Sequence, residues 1–416
     1  MMKLERIQNR ALRAITGQYQ SSPLEALRLE TDVPSYATTR KRIVLKAAEK
    51  ARRAPEDHPK RLALENAVPR RLVNRTSFAS MADELTNLLP PESHTRKPLE
   101  PFTIAPWNNT RPDGINATVP GIESRKDEDG VKREASLKAI RESGDEIVIY
   151  TDGSAKEGTR NGGSAAVITT GDPSSPQVLH TIRRKGREIT CSYEEEAAAM
   201  EDAIRWADQN GKSTLIVTDS QSLCKALLAH ELDPAIARLK KMLTDTENVK
   251  LQWVPSHCDI PGNELADKAA NEAREMVAPA EPISLNSICA LINSTLTDGP
   301  ILHQRTAQVY AKKSRTIEQT KRARSDQVLL AQLRTGHHMA FRSYKHRLDQ
   351  DLDKSCPECG ALEHDLEHWL VDCPAGSEWR MRHFGVTEGK LEWLTSDPDA
   401  VVAYARSSLL VLDAML

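Results

Sequence analysis

The middle of the chain alternates between short apolar runs rich in β-branched residues and longer stretches with helical periodicity. Five apolar runs have the length and composition of strands: residues 147–151, 164–170, 177–185, 215–218 and 249–255. Four stretches repeat apolar residues every three or four positions, as helices do: residues 193–209, 220–229, 233–245 and 262–275. The order β-β-β-α-β-α-α-β-α predicts an α/β fold, with a mixed five-stranded sheet flanked by helices.

The stretches on either side of this region predict a different organisation. Amphipathic patterns at residues 3–17 and 35–53 predict helices near the N-terminus, whereas residues 89–120 are rich in Pro, Asn and Thr. Such a composition favours a linker over a packed element. We therefore divide the chain into six parts: a helical segment at 1–88, a Pro-rich and charged linker at 89–144, the α/β domain at 145–275, a basic helical segment at 276–350, a small Cys/His region at 351–376 and a tail at 377–416.

Charge and hydropathy narrow the classes of function. The 416 residues carry a net charge of −2, but Lys and Arg outnumber Asp and Glu by thirteen to seven in residues 1–60 and by eleven to three in residues 301–350. Basic flanks suit a polyanionic partner, although solvated helix faces explain either flank equally well. Because no apolar run could span a membrane and the N-terminus lacks a signal-peptide core, we expect an intracellular protein, nuclear or cytoplasmic, without a membrane partner.

Three of the seven cysteines cluster with histidines in the sequence CPECGALEHDLEHWLVDC. Cys356 and Cys359 form a C-x-x-C pair, His368 follows after eight residues and Cys373 after four more. Three thiolates and one imidazole make the closed tetrahedral set that structural Zn²⁺ prefers, so we predict a zinc knuckle. His364 is a rival ligand, but His368 has the better spacing to Cys373. The alternative is a pair of unrelated cysteines in a turn.

Four acidic residues stand at the boundaries of predicted elements: Asp152, Glu196, Asp219 and Asp267. Taken singly, each is better explained as a helix cap, a turn residue or a solvent-facing side chain. Taken together, they supply the hard oxygen ligands that Mg²⁺ or Mn²⁺ prefers, and such crowded charges stay ionised only with cations between them. The set therefore predicts a site for two divalent ions that hydrolyses a phosphodiester.

The motifs TDGS, SYEEEAAA, VTDSQSL and WVPSHCDIPGNELADKAA follow one another in this domain. In this order and with these strand and helix contexts, they resemble the RNase H family along the whole domain. The resemblance implies an Mg²⁺-dependent endonuclease that cuts the RNA strand of RNA–DNA hybrids and leaves a 5′-phosphate and a 3′-hydroxyl. It implies that Asp152 bridges the two metal ions, that Glu196 and Asp219 complete one site, and that Asp267 completes the other.

The resemblance also implies roles for three polar side chains. His257 matches the family's mobile active-site histidine, and a loop histidine ten residues before a ligand carboxylate suits a proton shuttle. The alternative is an ordinary surface histidine. Ser220 and Asn263 match positions that contact backbone phosphate or support the site. Two features depart from the family: Asp259 stands where many relatives have Gly, and the stretch between the helices predicted at 220–229 and 233–245 is too short for the basic substrate-gripping extension of some bacterial relatives.

Two flanking segments resemble the polyproteins of LINE-like (non-LTR) retrotransposons. The segment at residues 329–348, LLAQLRTGHHMAFRSYKHRL, together with the knuckle of this chain resembles their C-terminal tail. Residues 4–30 resemble the segment that follows their polymerase domain. We expect a retroelement-derived ribonuclease H whose partners are the hybrid, retroelement RNA and a separate or ancestral reverse transcriptase. The rivals are an inactive remnant that only binds nucleic acid, and another polynucleotidyl transferase of the same superfold, which the SH-x-x-I-x-GNE-x-AD motif disfavours.

Overall fold

A computed structural model describes most of the chain, namely residues 2–66, 77–99, 112–123, 127–229, 233–277, 281–310 and 322–413. The chain divides into two compact units: Lys41–Leu296 forms one, and Met1–Arg40 together with Thr297–Leu416 forms the other. Among the described helices, none combines the length and the apolar character that a membrane span requires.

The secondary structure of the described residues consists mainly of helices around one group of strands. The strands are β1 (Ile115–Asn116), β2 (Ile147–Lys156), β3 (Arg160–Thr170), β4 (Gln177–Lys185), β5 (Thr214–Thr218) and β6 (Val249–Trp253). The α-helices are α1 (Met2–Thr16), α2 (Leu24–Thr31), α3 (Tyr36–Arg52), α4 (Pro59–Glu65), α5 (Phe78–Thr86), α6 (Asp129–Glu142), α7 (Ser192–Asn210), α8 (Gln221–Leu228), α9 (Pro234–Asp245), α10 (Pro261–Ala273), α11 (Leu285–Thr295), α12 (Gln304–Tyr310), α13 (Arg324–Thr335), α14 (Arg342–Leu348), α15 (Ser377–Phe384), α16 (Trp393–Ser396) and α17 (Pro398–Asp413).

The strands form one mixed sheet in the order β1-β6-β5-β2-β3-β4. β2, β3 and β4 make the antiparallel meander, and β5 and β6 continue the sheet parallel to β2. From β2 to α10 the elements follow the predicted order, but the prediction of five strands was wrong. Ile115 and Asn116, from the segment predicted as a linker, pair in parallel with Leu251 and Gln252 and add a sixth strand. Two residues are too few to show a periodicity in the sequence. This strand is recognised only in the structure, where it pairs with the edge of β6 that would otherwise be unpaired.

Helices cover both faces of the sheet, which explains why its central strands are almost continuously apolar. Alternate residues of β2 point to opposite faces. Ile147 and Ile149 lie in a core with residues of α7, α8 and α9, while Val148 and Tyr150 lie in a second core with residues of α6 and α10.

The second unit has its own core, which joins the two ends of the chain. Leu333 is fully buried there, and the neighbouring Arg334 donates from Nη1 to both carboxylate oxygens of Glu30 at 3.0 Å. The hydroxyl of Tyr310 donates to the same carboxylate. Gly336 ends α13 with φ +70°, a conformation that favours glycine. The LRTGH sequence therefore ties α13 to α2 and α12.

Candidate active site

Three of the four predicted acidic residues meet at one edge of the sheet. Oxygen atoms of Asp152, Glu196 and Asp219 lie within 4.8 Å of one another. The pairing of parallel strands explains this for two of them, because Thr151 of β2 lies opposite Thr218 of β5 and each of these threonines is followed by an aspartate. The prediction that Asp152 ends its strand was wrong, since β2 continues to Lys156 along β3.

Two glycines allow the neighbouring helices to approach the sheet at this edge. A Cβ atom on Gly153 would collide with the backbone nitrogen of Glu196, so only glycine admits the start of α7 here. A Cβ atom on Gly262 would collide with the ring of Tyr150, so α10 depends in the same way on a missing side chain. α7 and α10 are the helices that carry the two remaining predicted acids, Glu196 and Asp267.

Burial and mutual repulsion make this group of carboxylates costly to ionise. Burial, followed by the charges of Asp219 and Asp267, raises the pKa of Asp152 to about 7. Burial, followed by Asp152 and Asp219, also raises the pKa of Glu196 well above its usual range. The Oε2 atom of Glu196 is buried without a hydrogen-bond partner among the described residues. Buried, unpaired carboxylate oxygens of this kind suit a divalent cation, which removes the repulsion and supplies the missing partner.

Asp267 does not join this close group. Its side chain is exposed on α10, although it lies near enough to raise the pKa values of Asp152 and Asp219. Asn271, one helical turn further on, donates from Nδ2 to Asp267 Oδ1 at 3.1 Å and so orients the carboxylate. The sequence prediction missed Asn271, although its i,i+4 spacing from a predicted ligand is a usable signal.

Two of the other predicted residues lie directly beside Asp219. Asn263 is 4% exposed and donates from Nδ2 to Asp219 Oδ2 at 3.4 Å. This contact opposes the burial that raises the pKa of Asp219. Ser220 follows Asp219 in the chain, is partly exposed, and has its Oγ 3.3 Å from the Oγ of Ser222. The buried Asn263 thus supports the Asp219 carboxylate, while Ser220 and Ser222 are accessible to solvent.

The predicted histidine lies in an exposed loop between β6 and α10. His257 is exposed in this loop, and its charge is among the causes that lower the pKa of Asp219 against the effect of burial. The backbone is left-handed at both His257 and Asp259, with φ values of +54° and +53°. A left-handed backbone favours glycine, which gives the Gly-to-Asp departure at position 259 a physical cost. The loop geometry tolerates Asp because Asp and Asn adopt this region more readily than other residues do.

The predicted zinc ligands also come together, in the second unit. The sulfur atoms of Cys356, Cys359 and Cys373 and a ring nitrogen of His368 lie within 4.8 Å of one another. A hydrogen bond from the backbone of Ala361 lowers the pKa of the Cys359 thiol, whereas burial raises the pKa of the Cys373 thiol to about 11. Three sulfur atoms and one imidazole nitrogen are the donor set of a closed zinc site.

The structure separates the two candidate histidines of this cluster. His364 is 2% exposed, packs edge-on against Phe341 with ring centroids 6.0 Å apart, and accepts a hydrogen bond from the backbone nitrogen of Arg342 at 3.4 Å. Burial lowers the pKa of His364 to about 4. His368 instead lies 3.3 Å from Cys359, at the start of a single π-helical turn. His364 therefore belongs to the hydrophobic core rather than to the cluster.

Comparison with known proteins identifies the family of the α/β domain. Residues 144–275 match the RNase H family model. A ribonuclease H of Polynucleobacter asymbioticus is 30% identical over 150 residues, which cover 32% of this chain and 92% of the bacterial protein. The chain belongs to the ribonuclease H family. The family match begins at residue 144, so β1 and α6 of this chain lie outside it.

Two other similarities cover the same domain of the chain. A Pol polyprotein of ovine maedi visna related virus is 30% identical over 128 residues, which cover 30% of this chain and only 10% of the viral polyprotein. The crystal structure of RNase H1 from the halophilic archaeon Halobacterium salinarum is 23% identical, covers 30% of this chain and 96% of its own, and has a TM-score of 0.26.

Proposed function

We propose that this protein is an Mg²⁺-dependent endoribonuclease that hydrolyses the RNA strand of RNA–DNA hybrids. The observation that carries the proposal is the group of three buried carboxylates, Asp152, Glu196 and Asp219, whose oxygens lie within 4.8 Å of one another. Burial and mutual repulsion raise the pKa values of these carboxyl groups, and a bound divalent cation would favour their ionised forms. Membership of the ribonuclease H family supports the same reaction class.

In this proposal the four predicted acids hold two Mg²⁺ or Mn²⁺ ions. Asp152 would bridge the ions, with Glu196 and Asp219 completing one site and Asp267 the other. Bound ions of this kind activate a water molecule and stabilise the leaving oxygen of a phosphodiester. Because Asp267 is exposed and outside the close group, its site is the more open of the two and suits contact with the substrate.

The remaining residues would orient ligands and move a proton. Asn263 holds Asp219 through its amide, and Ser220 and Ser222 present hydroxyls that suit phosphate oxygens next to the same carboxylate. His257, exposed beside the carboxylates, would give a proton to the leaving 3′-oxygen and assist the release of product. The expected products are a 5′-phosphate and a 3′-hydroxyl.

We further propose a structural Zn²⁺ held by Cys356, Cys359, His368 and Cys373, and an origin of the chain in a retroelement. The four donor atoms within 4.8 Å of one another support the zinc site. The 30% identity over 128 residues with a viral Pol polyprotein, together with the LRTGH-containing segment, supports the retroelement origin. Retroelement RNA, its hybrid with DNA and a reverse transcriptase would then be the partners.

A cleavage assay on a labelled RNA–DNA hybrid tests the enzymatic proposal. Wild-type protein should cut the RNA strand with Mg²⁺ or Mn²⁺, and Asp152→Asn should lower the rate by about a thousand-fold, because losing several kcal/mol of metal-dependent stabilisation has that effect. Hybrid binding, measured by gel shift, should survive in the variant. Asp208→Asn, an exposed acid on the same helix as Glu196, is the control and should cut normally. Wild-type protein that binds the hybrid but never cuts it would instead favour the inactive, nucleic-acid-binding remnant.

A further inference from the structure

α6 packs against the loop that carries His257. Arg133 of α6 donates from Nε to the backbone oxygen of Asp259 at 2.9 Å. One turn earlier, Asp129 accepts a weak hydrogen bond from the Sγ of Cys258 at 3.9 Å. Two consecutive loop residues directly after His257 are therefore fastened to the same helix.

The same helix also anchors both ends of that loop. Leu137 and Ile140 of α6 share one buried cluster with Val254, which precedes the loop, and Ile260, which follows it. All four side chains are 3% exposed or less. Apolar contacts thus hold the ends of the loop, and polar contacts hold its middle.

The backbone of the loop needs such support. Both His257 and Asp259 adopt left-handed conformations, which non-glycine residues occupy at a cost and keep only when surrounding contacts favour them. The hydrogen bond from Arg133 acts on the carbonyl of one of these two residues. A charged donor on a backbone oxygen contributes more than a neutral one, so its loss should release the loop.

We propose that α6 is part of the catalytic unit and that Arg133 is a positioning residue, which holds the loop so that His257 faces the carboxylates. The proposal rests on the function proposed above for His257. It extends the working domain on its N-terminal side beyond the family match, which begins at residue 144, to the start of α6 at Asp129.

Two substitutions in the full-length protein, Arg133→Ala and Arg141→Ala, isolate this contact. Arg141 lies on the same helix and pairs with Asp172 at 3.0 Å, away from the loop, so it is the matched control. We expect Arg133→Ala to lower kcat on the hybrid by about ten-fold at unchanged KM, from the loss of one charge-assisted hydrogen bond. Arg133→Lys, which keeps a cationic donor, should recover part of that loss, and Arg141→Ala should behave as wild type.

A double variant distinguishes positioning from general damage to the fold. In a His257→Ala background, Arg133→Ala should cause no further loss of kcat, because the residue acts through the histidine. If the two losses instead multiply, Arg133 acts independently of His257 and the proposal fails.

Amide hydrogen exchange tests the contact without any need for activity. Exchange at residues 256–260 should rise in Arg133→Ala and stay at the wild-type level in Arg141→Ala. Unchanged exchange in Arg133→Ala would overturn the positioning role, whatever the activity. If exchange rises but the wild-type protein cuts no hybrid, the loop contact stands and the proposed enzymatic function fails.

Discussion

Replacing Asp152 with Asn should stabilise the metal-free domain while it lowers the rate of cleavage by about a thousand-fold. The carboxylate has an ordinary pKa of 3.8, which burial and its acidic neighbours raise to about 7 in the folded protein. That difference corresponds to about 4 kcal/mol, since each pKa unit is worth about 1.4 kcal/mol. Asn keeps the shape of the side chain and carries no charge, so it avoids this cost.

The difference in stability between Asp152→Asn and the wild-type protein should depend on pH. Between pH 3.8 and about 7 the folded protein binds a proton at Asp152 that the unfolded chain has released, so stability falls as pH rises through this window and then levels off. The advantage of Asp152→Asn over wild type should therefore grow by about 3 kcal/mol between pH 5 and pH 8. For a domain of this size, that is a difference in melting temperature of roughly 6–12 °C.

Differential scanning calorimetry at several pH values measures this directly. Divalent ions should be removed by dialysis rather than with a chelator, because a chelator would also strip a bound zinc ion from the Cys/His cluster. Asp208→Asn, exposed on the same helix as Glu196, is the control and should show no such growth with pH. Added Mg²⁺ should stabilise the wild-type protein and not the Asp152→Asn variant. If Asp152→Asn is no more stable than wild type at pH 8, the carboxylates do not repel one another as proposed and do not form a preformed cation site.

Two further predictions concern the second unit. Elemental analysis should find one zinc ion in the wild-type protein and none in Cys359→Ser. The control Cys289→Ser, which changes a cysteine outside the cluster, should keep the ion. Purified wild-type protein without zinc would contradict this prediction. Arg334→Met should lower the free energy of unfolding of this unit, measured in urea, by about 3–5 kcal/mol, because it leaves the Glu30 carboxylate buried without its cation. The control Lys354→Met breaks an exposed pair with Glu363 and should cost about 1 kcal/mol or less. Equal losses in the two variants would show that the buried pair has no special role.

The order of the elements could be predicted from the sequence because each strand and helix of the α/β domain has its own periodicity. The helix predicted at 193–209 is found at Ser192–Asn210, and the strand predicted at 177–185 has those same bounds. The ends of β2 could not be predicted in this way. The polar sequence TDGSAK continues as a strand only because β3 pairs with it along its length.

The acidic residues show the same division between local and distant causes. Their order along the chain, and their places beside strands and on helices, were enough to predict a group of carboxylates. The distances between these carboxylates could not be predicted from the sequence, because they depend on glycines such as Gly153 and on the parallel register of β2 and β5. The same holds for Asp267, which is exposed on α10 and lies outside the close group.

The sequence by itself determined which residue types are available, and in what order, for a fold of the RNase H type and for a Cys/His cluster. Only the tertiary structure decided that Ile115 and Asn116 extend the sheet, that His364 is buried against Phe341, and that Arg133 reaches the loop of His257. The physical reason is one of range. Periodicity and spacing report contacts within one element, whereas each of these outcomes depends on a contact between segments that are distant in the chain or on competition for burial.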